Sequence, residues 1–174
     1  MKKILLIIAM VISLFSSEYK VDKDYSSIKF EVSKMLFVSV NGEFSQFNGT
    51  IKLDKDNKLS QINGLITIDS INTKDVQRDE HLKEHDYFHI LKFPNIVFRS
   101  NTIIDNILKA KVNIKGIEKE LDFKISDFEL NKNSVTLTLS STINRQDFML
   151  NGSMSAVISD NVDVTAIIHA TKIR

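Results

Sequence analysis

The sequence contains no cysteine, no tryptophan and only one proline in 174 residues. Without a thiol the chain can form no disulfide, no zinc–thiolate site and no thiolate nucleophile, and it cannot be anchored as a lipoprotein. The protein must therefore be stabilised by apolar burial and strand pairing. A chain of this length is long enough for one hydrophobic core, so we expect a single domain.

The sequence also has no excess of either charge and no catalytic motif. Its 23 basic and 22 acidic residues leave no strongly basic face, so no nucleic-acid partner is expected. Ser153 lacks the flanking glycines of a nucleophile elbow, and there is no glycine-rich phosphate loop or histidine–glutamate zinc helix. The sequence therefore predicts no enzyme, no catalytic residue and no cofactor.

An apolar run at the N-terminus is typical of a targeting segment. Lys2 and Lys3 give it a positive start, residues 4–14 are apolar, and Ser16 and Ser17 form a small-residue end. The run is too short to span a bilayer. We expect a signal peptide over residues 1–17 and an exported domain over residues 18–174, with an uncleaved anchor as the alternative.

Apolar and polar residues alternate over much of the remaining chain, as in strands with one buried face. The apolar phases fall within residues 28–32, 62–68, 112–114, 121–125, 135–139 and 162–170. Short polar turns separate them, which favours antiparallel neighbours, and closure of such a meander removes its unpaired edges. The pattern predicts an all-β, elongated, antiparallel up-and-down barrel of about eight strands, whose interior is either filled or wide enough for one narrow ligand.

One segment, near residues 74–92, breaks the alternation. It is charged, rich in helix formers and poor in β-branched residues, so it predicts one or two short helices in a long connection. Long connections in compact domains are often functional. This connection is expected to cover one mouth of the barrel, either as a lid or as a plug formed by Leu82, Tyr87, Phe88 and Phe93.

The same connection carries a set of spaced residues that resembles the YceI-like polyisoprenoid-binding family. Those residues are Ser70-Ile71-Asn72-Thr73, Arg78-Asp79-Glu80-His81-Leu82, Asp86-Tyr87-Phe88 and Phe93-Pro94. Further matches at residues 19–32, 42–51, 114–117 and 143–148 extend the resemblance over nearly all of the mature chain. The resemblance implies a lipocalin-like barrel in the bacterial periplasm, often a homodimer, that holds an isoprenoid or similar long amphiphile in its bore.

Three positions depart from the family pattern. Lys34 and Tyr25 stand where the family often has histidine, and Ser159 stands where glycine precedes Asp160. These departures put any shared histidine chemistry in doubt. They leave the apolar barrel unaffected.

Apolar residues on the inward phases are the candidates to line a bore, although packing of an ordinary core explains the same pattern. The predicted bore residues are Phe30, Val32, Phe44, Ile66, Ile68, Leu82, Phe88, Phe98, Val112, Ile114, Phe123, Leu137 and Phe148. Arg78, His81 and Arg145 are the candidates to contact a polar head group at the mouth, because guanidinium can donate to phosphate or carbonyl oxygen in a fork. A structural alternative pairs Arg145 with Asp79 or Asp147.

His81, His85 and His89 are spaced four apart, which on a continuous helix would place three imidazoles on one face. This spacing supports an alternative function, a periplasmic metal-binding protein or a metal-dependent enzyme. Asp86 is expected to begin a new turn between them, so no metal is predicted. The favoured prediction is a non-enzymatic protein that binds and carries or buffers a polyisoprenoid or an isoprenoid quinone-like lipid; an interaction module with a filled barrel is a third possibility.

Overall fold

The computed structural model describes residues 16–34, 38–152 and 157–173. Most of the predicted signal peptide lies outside the described residues, and Ser17 begins the first strand. The strands are β1 Ser17–Val21, β2 Ser27–Lys34, β3 Val38–Phe44, β4 Phe47–Leu53, β5 Leu59–Thr67, β6 Ile71–Asn72, β7 Asn95–Ile104, β8 Ile107–Ile114, β9 Ile117–Leu130, β10 Ser134–Asn144 and β11 Ile158–Lys172. The α-helix α1 spans Val76–Lys83, and 3-10 helices span Ile68–Ser70 and Arg145–Phe148.

Antiparallel pairing closes these strands into a barrel. The order β1, β4, β5, β7, β8, β9, β10, β11 returns to β1, because Val21 pairs with Ala170 of β11. Strands β1 and β2 lie end to end along β11, and β3 and β4 lie end to end along their other side. The prediction of an up-and-down barrel of about eight strands is confirmed.

Local sequence explains the tight return between β8 and β9. Lys115 and Gly116 both have positive φ angles, 53° and 78°. Two such residues form the hairpin turn whose twist matches that of the flanking strands. A side chain at Gly116 would also collide with Phe93, because an added Cβ would lie 2.6 Å from its ring. Glycine is therefore required here both by conformation and by contact.

The connection between β6 and β7 forms one helix followed by turns. The carboxylate of Asp75 caps α1 by accepting a hydrogen bond from the backbone N–H of Arg78 at 3.1 Å. The helix ends at Lys83 and buries none of its residues completely. Tyr87 is buried beyond the helix, and Phe88 packs against the core. The connection lies beside the turn between β8 and β9 and the segment after β10, and we call this side of the barrel the helix end.

The opposite end of the barrel is packed with side chains. Ile51, Leu53, Leu108 and Val135 are all completely buried. They lie near the far ends of β4, β8 and β10 and project into the barrel, so we call this part the filled end.

Candidate functional site: an apolar cavity

The helix end of the barrel encloses a cavity of about 580 Å³. This volume lies within the range of roughly 300–1,000 Å³ that is usual for small-molecule sites. Its walls are mainly apolar and come from the inward faces of the strands, with Leu82 and Phe88 contributed by the connection. The arrangement provides an apolar space that can hold an apolar chain.

Aromatic rings form much of the wall. The centroids of Phe30 and Phe44 lie 5.7 Å apart, those of Phe44 and Phe88 lie 6.4 Å apart, and those of Phe98 and Phe123 lie 5.1 Å apart. Such separations are typical of favourable ring pairs. Phe30, Phe44 and Phe88 thus link the sheet to the connection, and Phe98 and Phe123 form a second ring pair in the wall.

The predicted bore residues line this cavity, with two exceptions. Ile68 is completely buried in a 3-10 helix, because the strand phase that predicted it ends at Thr67. Leu137 does lie on an inward strand phase, but it is completely buried at a level where neighbouring side chains fill the barrel. Neither residue faces the cavity, so those two assignments are corrected; the roles of the others in binding stay predictions.

Several lining residues were missed by the sequence analysis. They include Ile62, Ile96, Leu139, Ile143, Val162 and Val164. All of them lie on alternating apolar phases, so the signal was present in the sequence. The period of two identifies the inward face, but it does not reveal the level at which packing gives way to a cavity.

Arg145 reaches the cavity lining but is held by the protein itself. Its side chain is only 7% exposed. The guanidinium donates to the backbone carbonyls of Ser159 at 2.9 Å, Leu150 at 2.7 Å and Ile158 at 3.1 Å, and to the carboxylate of Asp160 at 2.9 Å. The predicted pairing of Arg145 with Asp79 or Asp147 is wrong, because the aspartate that pairs with it is Asp160. Arg145 joins the end of β10 to the start of β11.

Arg78 has a comparable structural role at the other side of the mouth. Its Nε donates to the hydroxyl of Thr73 and its Nη2 to the carbonyl of Thr73, each at 2.8 Å. Asp79 accepts hydrogen bonds from the backbone N–H and hydroxyl of the same threonine. This network attaches α1 to the strand that precedes it.

The three spaced histidines do not share a helical face. Because α1 ends at Lys83, His85 and His89 lie beyond the helix. Nε2 of His81 is 3.6 Å from Oδ2 of Asp86, and its ring meets Tyr87 edge-on, whereas the ring of His89 packs against Phe93. A group with ligand atoms within 4.8 Å of one another is formed by His81, Glu84 and Asp86 and includes neither of the other histidines.

Lys115 joins the connection to the segment after β10. Its ammonium donates to the carbonyls of Asp86 at 3.2 Å and Met149 at 2.9 Å. Partial burial lowers the pKa of Lys115, and the negative charge of Asp86 opposes this shift. Gly152 lies so close to Tyr87 that an added Cβ would be 2.2 Å from the ring. The two segments therefore pack together as one cover over the helix end.

Comparisons with known proteins agree with this architecture. The model of a family described as the YceI-like domain matches residues 19–170. A UPF0312 protein of Staphylococcus aureus strain N315 is 30% identical over 143 residues, which cover 78% of this chain and 83% of that protein. In the part of the chain that the structure describes, no helix is long and apolar enough to cross a membrane.

Solved structures show the same fold. The BcnA protein of Burkholderia cenocepacia matches with a TM-score of 0.78 and 22% identity, over 87% of this chain and 99% of that one. A polyisoprenoid binding domain from Saccharophagus degradans matches with a TM-score of 0.71 and 15% identity, over 92% of this chain and 99% of its own. A YceI protein of Campylobacter jejuni matches with a TM-score of 0.69 and 23% identity, and the match covers both chains completely.

Proposed function

Because the chain belongs to the YceI-like domain family, we propose that it binds a long-chain apolar amphiphile, such as a polyisoprenoid or an isoprenoid quinone-like lipid, inside its barrel. The protein would carry or buffer this lipid without changing it chemically. The observation that carries the proposal is the apolar cavity at the helix end. The name of the Saccharophagus degradans neighbour, a polyisoprenoid binding domain, supports the same class of ligand.

The size of the cavity is consistent with one apolar chain. A water molecule occupies about 30 Å³ in the liquid and a methylene group is of similar size, so 580 Å³ has room for roughly 20 such groups. Each buried methylene contributes about 0.8 kcal/mol. Burial on this scale exceeds the roughly 4–15 kcal/mol lost when a ligand is immobilised. Binding therefore requires no catalytic group, and we propose that the protein is not an enzyme.

Export to the periplasm is part of the proposal, and it is supported by the targeting pattern of residues 1–17. A lipid carrier in an aqueous compartment must shield the chain of its ligand from water, which a closed barrel does. Cell fractionation would test the location, and gel filtration would test the predicted homodimer. Recovery of the mature protein in the cytoplasmic fraction would contradict the proposed location.

A test of lipid carriage uses two neighbouring positions of β8. Val112 is 3% exposed, lines the cavity and lies opposite Phe98, whereas Asn113 belongs to the outward phase. We expect organic extraction and mass spectrometry to find a co-purifying lipid in the parent protein. Val112→Phe should reduce the lipid content because the larger ring occupies the cavity, while Asn113→Gln should retain it.

The comparison requires that both variants fold. Overpacking costs about 1–3 kcal/mol, so lipid content is compared only in protein that melts cooperatively. An empty parent protein that gains no thermal stability from added polyprenol would contradict carriage, since a tight ligand raises the melting temperature. Full lipid content in a folded Val112→Phe variant would show that the ligand does not pass this position.

A further inference from the structure

The inward face of β2 ends in a positive charge. Ile28, Phe30, Val32 and Lys34 lie on one phase of the strand, and all four line the cavity. Lys34 is half-buried and lies opposite Val38 of β3 and Ile158 of β11. An ammonium group is thus placed where the apolar wall meets the mouth of the barrel.

Two other cations of the lining, Arg78 and Arg145, have partners in the protein, and a third, Lys29, is exposed on the opposite phase of β2. Arg145 is bound by Asp160 and by three carbonyls, and Arg78 is bound by Thr73 and lies 3.6 Å from Asp75. Lys34 differs from both arginines. Among residues 16–34, 38–152 and 157–173, no acceptor forms a hydrogen bond or an ion pair with its side chain.

The carboxylates near the mouth do not compensate Lys34. Among the described residues, Asp75 is the acidic residue that lines the cavity, and it is occupied as the cap of α1 and by the guanidinium of Arg78. Asp160 is occupied by Arg145 and Gln146. Lys34 is therefore an inward-facing cation of the lining that the described part of the chain does not neutralise.

We propose that Lys34 binds the anionic head group, a carboxylate or a phosphate, of the amphiphile whose chain occupies the cavity. This inference rests on the proposed function and narrows its ligand to anionic amphiphiles. Lys34 itself is partly buried, and an ionic contact at a partly buried site is stronger than one at an exposed site. A lysine binds either head group as a point charge, because it does not require the planar geometry that suits arginine.

The experiment compares three probes that share one chain: oleate, oleyl phosphate and oleyl alcohol. Their dissociation constants are measured by titration calorimetry on delipidated protein at low ionic strength. We expect at least one anionic probe to bind about tenfold more tightly than the alcohol, since a hydrogen bond to a charged group typically contributes a factor of this order. The anion that shows the preference identifies the head group as carboxylate or phosphate.

Variants assign the preference to one residue. Lys34→Gln should remove the preference, so that the anionic probes bind no more tightly than the alcohol, and Lys34→Arg should retain most of the preference. Lys124→Gln is the matched control, because Lys124 is exposed on the outward phase of β9 and does not line the cavity. Added salt should weaken the preference in the parent protein by screening the contact.

The outcomes separate this inference from the proposed function. Equal binding of all three probes by the parent, or a preference that survives Lys34→Gln, would overturn the role of Lys34 while leaving lipid binding intact. Failure of every probe to bind would overturn both. A preference lost equally in Lys34→Gln and Lys124→Gln would show a general effect of net charge and would also overturn the specific contact.

Discussion

The two ends of the barrel are built from the same alternating strands, yet one is filled and the other is hollow. On neighbouring rows of the same inward face, Ile51 pairs with Ile62, and the next pair is Gly49 with Gly64. The row beyond that pairs Phe47 with Ile66. The glycine pair removes two side chains from the interior at the level where packing gives way to the cavity. A hollow barrel thus requires only a local loss of side-chain volume, and the strand pattern remains the same.

The largest difference between the ends should appear when one isoleucine at each end is replaced by alanine. Ile51→Ala leaves a void in fully packed surroundings and should cost about 3–5 kcal/mol in the free energy of unfolding. Ile66→Ala, in delipidated protein, removes atoms that already border a cavity and should cost about 1–2 kcal/mol. Urea unfolding followed by circular dichroism measures both. Equal losses would show that the two ends are packed alike.

Replacement of Arg145, which lies at the helix end, should lower the free energy of unfolding by about 3 kcal/mol. Arg145→Ala removes the guanidinium that donates to three part-buried carbonyls and leaves Asp160 with Gln146 as its donor. Arg145→Lys should recover only part of the loss, because a single ammonium cannot reach all of these acceptors. Urea unfolding tests the pair, with Arg99→Ala on the barrel wall as a control. A loss below about 1 kcal/mol would mean that water replaces the guanidinium readily.

The two glycines of the pair should differ in how much stability their replacement by alanine costs. A Cβ at Gly64 would have its nearest neighbour 3.7 Å away, so Gly64→Ala should change stability by less than about 1 kcal/mol. A Cβ at Gly49 would lie 2.4 Å from the backbone oxygen of Asn63, so Gly49→Ala should cost about 1–3 kcal/mol. Thermal melts of the two variants measure the difference. Equal melting temperatures would mean that the strands shift apart at no cost.

The smallest effect concerns pH. Burial lowers the pKa of Lys115 below its usual 10.5, so the unfolded chain binds this proton more tightly than the folded one. The stability of the parent relative to Lys115→Met should therefore increase as pH rises through the lowered pKa towards 10.5. Urea unfolding at several alkaline pH values measures this change.

Lys109 provides the control of opposite sign. The hydrogen bond that the Lys109 ammonium donates to the carboxylate of Asp122, reinforced by the negative charge of that carboxylate, raises the pKa of Lys109 above 10.5. Its contribution to stability is therefore fully present below 10.5 and is lost only as pH rises through the raised pKa. The stability of the parent relative to Lys109→Met should not increase over the pH range in which its stability relative to Lys115→Met increases. A decrease for Lys115 in that range would contradict the burial of its ammonium.

Sequence predicted the parts of this fold that depend on neighbouring residues. Alternation identified the strands, and the short polar segments identified the turns between them. The partner of Arg145 could not be predicted in this way, because Asp160 is brought to it by the pairing of β10 with β11. The same limit applies to Leu137, whose surroundings depend on residues from several strands at one level of the barrel. The alternation of apolar residues along one strand shows which way a side chain points, whereas the pairing register between strands decides which residues surround it.

The break between β1 and β2 has a consequence for how the molecule moves. The hydroxyl of Ser26 bonds to the carbonyl of Asp22 and to the backbone of His169, so the chain crosses from one strand to the next at a fixed point on β11. At the filled end β11 pairs with β1, and towards the helix end it pairs with β2. Local opening of one set of backbone bonds need not propagate to the other. A local opening at the helix end would therefore leave the strands of the filled end paired as a closed ring.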